Sequence, residues 1–307
     1  MSTNAKTASH VSKALSTPRM ATYGHAVGSS PSSVQAVELY NWNAAVSAGL
    51  MHPLHVVEVV VRNGIDEALT AAYGPDWPWS HSFEQSLPNP VSSYSARQDL
   101  IRTRAPYTTA RKTSKVIPEL RFVFWQNMFT KRHDGRVWRK NLASAFPGLP
   151  TDTIQKNRAL LHTELESIRK LRNRIAHHEP IIARNLNDDF QKIIDVISYR
   201  CTGTRTWTVA NTNVYRLINS RPGVNGQASQ PPSTTQTALM PETGCEVLIN
   251  VDDYLQRYGS WTASADKIMT AVRSMAECSC NDCYKGIRLI KLARPELLAS
   301  IKAQLVP

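Results

Sequence analysis

The sequence predicts an all-α fold, and three observations carry that reading. Apolar residues recur at intervals of three, four and seven, strand-type alternation is weak, and no internal repeat points to a solenoid. The 307 residues can bury a substantial core, and at ~150 residues per domain they allow one large unit and one small one. Helices are expected over Ser33–Ala48, Pro53–Tyr73, Ile117–Lys131, Val137–Phe146, Thr153–Glu179, Asp188–Tyr199 and Thr206–Ile218. Pro53 fits a first turn, where a missing N–H costs nothing. In the third, Phe122, Trp125 and Phe129 fall on one face. In the fifth, Ile154, Leu160, Leu161, Leu165, Ile168 and Leu171 mark a stripe, and Pro180 sets its end near Glu179.

Between the helices lie two breaks. Gly74–Ser114 contains Pro75, Pro78, Pro88, Pro90 and Pro106 and reads as a long irregular loop. Pro222–Gly244 is rich in Gly, Ser, Thr, Gln and Pro and reads as a linker. The expected organisation is therefore a loose tail over 1–14, a main domain over 15–222, a linker over 223–244 and a small helical C-terminal extension over 245–307.

The end of the fifth helix carries the chemistry. Arg172-Asn173-Arg174-Ile175-Ala176-His177-His178-Glu179-Pro180 puts arginine, amide and imidazole side chains on its last turns, with His177 and His178 expected in the final one. The negative end of the helix dipole favours an imidazolium by up to ~2 kcal/mol. Asn173 lies one turn before His177 and can hold one imidazole nitrogen. The long fork of Arg172 can converge on whatever His177 touches, and a phosphate suits both.

Arginine, asparagine, three residues and histidine form the motif of the HEPN superfamily of metal-independent ribonucleases, and the string from Leu171 to Ile181 closely resembles its Abi-like, abortive-infection branch. The resemblance extends to Thr17-Pro18-Arg19-Met20-Ala21-Thr22-Tyr23, Leu39-Tyr40-Asn41-Trp42-Asn43, the segment from His55 to Asp66, Glu119–Trp125, and Trp138 with Ala145-Phe146-Pro147. It runs from about Leu15 to about Pro222 and departs at Pro118 and Val123, neither of them a catalytic position. It implies a HEPN-type helical bundle acting as a metal-independent endoribonuclease of an abortive-infection or toxin-type phage defence system. Arg172, Asn173 and His177 are the implied catalytic residues, and no cofactor is implied. Because HEPN nucleases join two motif copies, the implied partners are RNA, a second copy of the chain, and an antitoxin or regulatory RNA. The alternative is a non-catalytic HEPN module that binds RNA or protein.

The chemistry can also be argued from the residues. His177 can take a proton from a ribose 2′-hydroxyl or give one to the leaving 5′-oxygen, while Arg172 stabilises charge on the phosphate. His178 suits packing or a supporting role. Arg174 either contacts RNA or faces solvent. Glu58, Arg62 and Asn63 interrupt an apolar helix, either as a buried polar network or as a group tuning the nearby site.

The net charge of +12 is uneven: Arg97–Lys140 holds twelve Lys or Arg against Asp99, Glu119 and Asp134. Arg111, Lys112 and Lys115 are the candidate RNA contacts in that stretch. Its aromatics are read as core, the competing reading being a base-stacking platform. Cys278, Cys280 and Cys283 make a C-x-C-x-x-C cluster whose fourth zinc ligand would have to be Cys245, Cys201 or a histidine, so ordinary thiols are the expectation and zinc the alternative. Five cysteines and no secretion signal suggest a reducing, cytoplasmic setting. No uncharged apolar run reaches the ~18 residues of a membrane span. The basic, Ser/Thr/Ala-rich opening resembles a transit peptide, but the family-like blocks begin inside it, which argues against cleavage.

Overall fold

The computed structural model describes residues 3–150 and 152–223. Contacts divide the chain into one unit of Met1–Thr208 with Thr212–Val224 and another of Val209–Asn211 with Asn225–Pro307. The description below concerns the first. The linker, the C-terminal extension and the cluster Cys278, Cys280 and Cys283 lie outside the described residues.

Among the described residues there are helices and no strand. They are α1 (Ala5–Leu15), α2 (Thr17–Ala26), α3 (Val34–Tyr73), α4 (His81–Ser86), α5 (Ala96–Arg104), α6 (Thr113–Glu119), α7 (Phe122–Asn127), α8 (Arg139–Ala145), α9 (Ile154–Ala176), α10 (Leu186–Arg200), α11 (Thr202–Ala210) and α12 (Val214–Asn219). The organising element is α3, which packs against α1, α2, α7, α8, α9, α10 and α12.

The two helices expected on either side of Pro53 are one 40-residue helix. An interior proline costs ~3 kcal/mol by removing a hydrogen bond and crowding the preceding turn. The core on both sides outweighs that: Val46, Leu50, Leu54, Val57, Val61 and Ile65 are all buried. By length and composition α3 could cross a membrane, with a window of mean hydropathy 1.5. Many of its apolar residues are buried against the surrounding helices, whereas Met51 and Val59 are exposed.

The opening residues, expected as a loose tail, form α1. Asn4 caps it by accepting from the Thr7 N–H at 2.9 Å, and Ala8 and Ser12 are buried. The stretch expected as irregular holds α4 and α5, capped by Ser80 and Ser95. Pro78 and Pro106 are each the second residue of a single 3-10 turn, within the first turn where proline is tolerated. The helix expected over Ile117–Lys131 is broken at Leu120–Arg121 into α6 and α7, and the one expected over Thr206–Ile218 is broken into α11 and α12. A five-residue π turn, Asp134–Trp138, leads into α8.

Aromatic rings fill the end of the core away from the motif. Trp77 meets Phe83, Phe124 and Trp125, while Phe129 stacks on Trp138 at 4.7 Å. The Trp138 indole donates to Met128 O at 2.7 Å and the Trp77 indole to Asp66 at 2.7 Å. Gly64 lets α3 approach the Phe146 ring, since a Cβ there would lie 2.8 Å from it.

Candidate functional site at the end of α9

The N-terminus of α9 is capped by Thr153, whose hydroxyl accepts from the Lys156 N–H. Leu161, Leu165, Ile168, Leu171 and Ile175 are buried at spacings of three and four, so this stripe holds the helix on the bundle. Arg172, Ala176 and His177 emerge on the exposed side.

The helix ends earlier than Pro180 alone suggests. It stops at Ala176, with His177 as the cap and His178 beyond it at φ +56°. The Glu179 N–H donates to Arg174 O at 2.8 Å and the His178 N–H to Ile175 O at 3.0 Å. That pair of bonds defines a Schellman termination, which places the left-handed residue directly after the cap. The two histidines therefore do not share a helical turn.

Two long-range contacts and one local contact fasten the segment that follows. Arg19 of α2 donates to His178 O at 2.7 Å. Buried Asn43 of α3 accepts from the Ile181 N–H at 2.8 Å. Arg174 donates twice to Pro180 O, at 3.1 and 2.8 Å, and lies 3.7 Å from the Glu179 carboxylate. Arg174, considered above for RNA, thus closes the helix end. Arg19 and Asn43 were not singled out in the sequence as site residues, although both stand in blocks noted above, and spacing along the chain gives no sign that they meet the motif.

Glu58 links α3 to the motif. It accepts from Arg62 in a tight ion pair and lies 4.0 Å from Arg172 Nε. Glu58 and Arg62 are each 17% exposed, against 44% for Arg172. Burial lowers the Arg62 pKa, and Arg172 adds to that lowering while Glu58 opposes it. Asn63 points outward instead: it is exposed and takes no part in this network.

The expected bond between the Asn173 amide and the His177 imidazole is not formed. The two residues are joined through the main chain, His177 N–H donating to Asn173 O at 2.9 Å. The imidazoles of His177 and His178 are exposed.

Arg111, Lys112 and Lys115 are exposed, and Arg111 lies 3.7 Å from Asp76. No contact among the described residues joins these three to Arg172 or His177. Other cations of the basic stretch serve the fold: Arg97 donates to Glu84 O and Gln85 O, and Arg132 to Ser86 O. The aromatics Phe122, Phe124, Trp125, Phe129 and Trp138 are all buried, so they are core and not a stacking surface. Among the described residues, no three His, Cys, Asp or Glu side chains gather as a metal site.

Beside the motif Tyr23 is fully buried, its ring edge-on to Tyr40 at 5.2 Å. Burial, helped by Tyr40 and opposed by Arg19, pushes its pKa up to about 12. Compared with family models, with curated proteins and with solved structures, the chain matches none.

Proposed function

We propose that this chain is an Abi-like member of the HEPN superfamily and a metal-independent endoribonuclease of an abortive-infection or toxin-type defence system, working in the cytoplasm. The observation that carries the reading is the exposed pair Arg172 and His177 at the end of α9, with Arg172 backed by the Glu58–Arg62 pair. Supporting it, Arg19 and Asn43 from two other family-like blocks meet the loop that follows the motif.

In this mechanism Arg172 binds a phosphodiester of the RNA. His177, solvent-facing and without a side-chain partner among the described residues, exchanges a proton with the 2′-hydroxyl or the leaving 5′-oxygen. The 2′-oxygen attacks phosphorus and the bond to the 5′-oxygen breaks, giving a 2′,3′-cyclic phosphate and a 5′-hydroxyl. One chain offers one such histidine, so a homodimer supplies the second proton-transfer group.

A second reading, a non-catalytic module that binds RNA or a partner protein, is favoured by the missing side-chain bond between Asn173 and His177. The test is incubation with total RNA in EDTA, followed by end-group mapping. Fragments with cyclic-phosphate ends from wild type and none from Arg172→Ala or His177→Ala support the enzyme. Binding without product from wild type supports the module, and EDTA-sensitive cleavage refutes the metal-independent mechanism.

A further inference from the structure

A cavity of about 390 Å³ opens between α2, α3 and the end of α9. Ala176 and His178 both line it, so the His177 Cα is one peptide step, about 3.8 Å, from each of two wall residues. Its other walls include Tyr23, Tyr40, Ala48 and Met51.

The chemistry of the wall restricts the occupant. Among the described residues no lysine or arginine lines the cavity, and the one carboxylate among them, that of Glu179, lies 3.7 Å from Arg174. A phosphate or a carboxylate therefore finds no counter-charge inside. The surfaces are mostly apolar, and the lining combines the rings of Tyr23 and Tyr40 with the small side chains of Ala44, Ala48 and Ala176. A flat, uncharged ring fits such a space. One buried polar atom of the wall lacks a partner: the hydroxyl of Tyr23, in a residue with no solvent exposure. A neutral phenol can donate or accept one hydrogen bond. The amide oxygen of Asn43 is already engaged by the Ile181 N–H.

We propose that this cavity is a nucleobase subsite, receiving an unstacked base of the RNA whose phosphate lies at Arg172 and His177. The base packs against the tyrosine and aliphatic walls, and the Tyr23 hydroxyl hydrogen-bonds its polar edge. The assignment rests on the ribonuclease reading and adds to it the source of base preference. Water does not reach that hydroxyl in the free protein, so the Tyr23 side chain must turn toward the cavity as a base enters; the bond it then makes discriminates between bases by what their edges present.

The experiment is binding of the four nucleoside 5′-monophosphates to the full chain by ligand-observed NMR, with ribose 5-phosphate as the control without a base. At least one nucleotide should bind about tenfold or more tightly than ribose 5-phosphate, the range that base stacking supplies. Ala48→Phe, at an exposed position on the wall, should remove that difference by filling the space. Tyr23→Phe should weaken the preferred base several-fold, shift the base preference at the cut site, and leave the melting temperature equal or higher, since it deletes an unpaired buried hydroxyl. Nucleotides binding no better than ribose 5-phosphate would overturn the subsite even if RNA is cut. So would unchanged binding and cut-site preference in both variants. Selective nucleotide binding with no RNA cleavage would keep the subsite and refute the ribonuclease reading, so the two failures are distinguishable.

Discussion

Glu58→Gln removes one negative charge shared by two arginines while keeping the side-chain shape, and its cost can be worked from the geometry. Arg62 is as little exposed as Glu58, so their ion pair is a charge-assisted hydrogen bond worth ~1.5–3 kcal/mol. For Arg172, 4.0 Å from Glu58, Coulomb's law at an effective dielectric of 20 gives ~4 kcal/mol. Because Arg172 is 44% exposed, screening by water reduces this to ~0.2–1 kcal/mol. Two guanidinium groups left facing each other add repulsion, so the expected total loss is ~2–4 kcal/mol. Urea unfolding of wild type, Glu58→Gln, Arg62→Gln, Arg172→Gln and the two double variants containing Glu58→Gln separates the terms. The Glu58–Arg62 coupling should be about 2 kcal/mol and the Glu58–Arg172 coupling under about 1 kcal/mol. If the second coupling equals or exceeds the first, or if Glu58→Gln costs less than ~0.5 kcal/mol, Glu58 is not the shared anchor described.

Mixing Arg172→Ala chains with His177→Ala chains should restore part of the RNA cleavage lost by each, because a composite site needs one of each residue. Full activity in a demonstrably monomeric wild type refutes that arrangement. Replacing Arg111, Lys112 and Lys115 together by Ala should weaken RNA binding across sequences and lower the salt slope by ~0.7 per lost contact; an unchanged slope and affinity return them to solvent. His178→Gly should raise stability by ~0.5 kcal/mol, since relief of the left-handed strain exceeds the added entropy of the unfolded chain. A lower urea midpoint would show that the imidazole packs against its surroundings. Burial, helped by Asp195, raises the Glu164 pKa from 4.5 to about 7, so its contribution is present below pH 4.5 and lost as pH rises to 7. Burial, helped by Arg132, depresses His133 from 6.5 to about 4, so its contribution is present above pH 6.5 and lost as pH falls to 4. The two slopes oppose each other where the windows overlap, between pH 4.5 and 6.5. Wild-type stability should vary little there, while Glu164→Gln should acquire a marked loss on acidification. Identical pH profiles for the two proteins would refute the assignment.

Much of the frame follows from local pattern. The apolar stripe of α9, its threonine cap, the all-α class and the aromatic core around Phe122, Trp125 and Phe129 are properties of neighbours three and four residues apart. The motif's position at an exposed helix end follows in the same way. What tertiary structure decided lies elsewhere. Packing on both sides carries α3 through Pro53, a cost that local propensity cannot weigh. The Schellman turn, held in place by Arg19 from 159 residues away and by Asn43, 138 residues from Ile181, ends α9 at Ala176 and separates His177 from His178. The Glu58–Arg62 pair follows from a spacing of four on one helix, but the reach of Glu58 to Arg172 is a matter of how α3 crosses α9. Spacing records which side chains share a face of one helix; which faces meet is set by burying the apolar area of all of them at once.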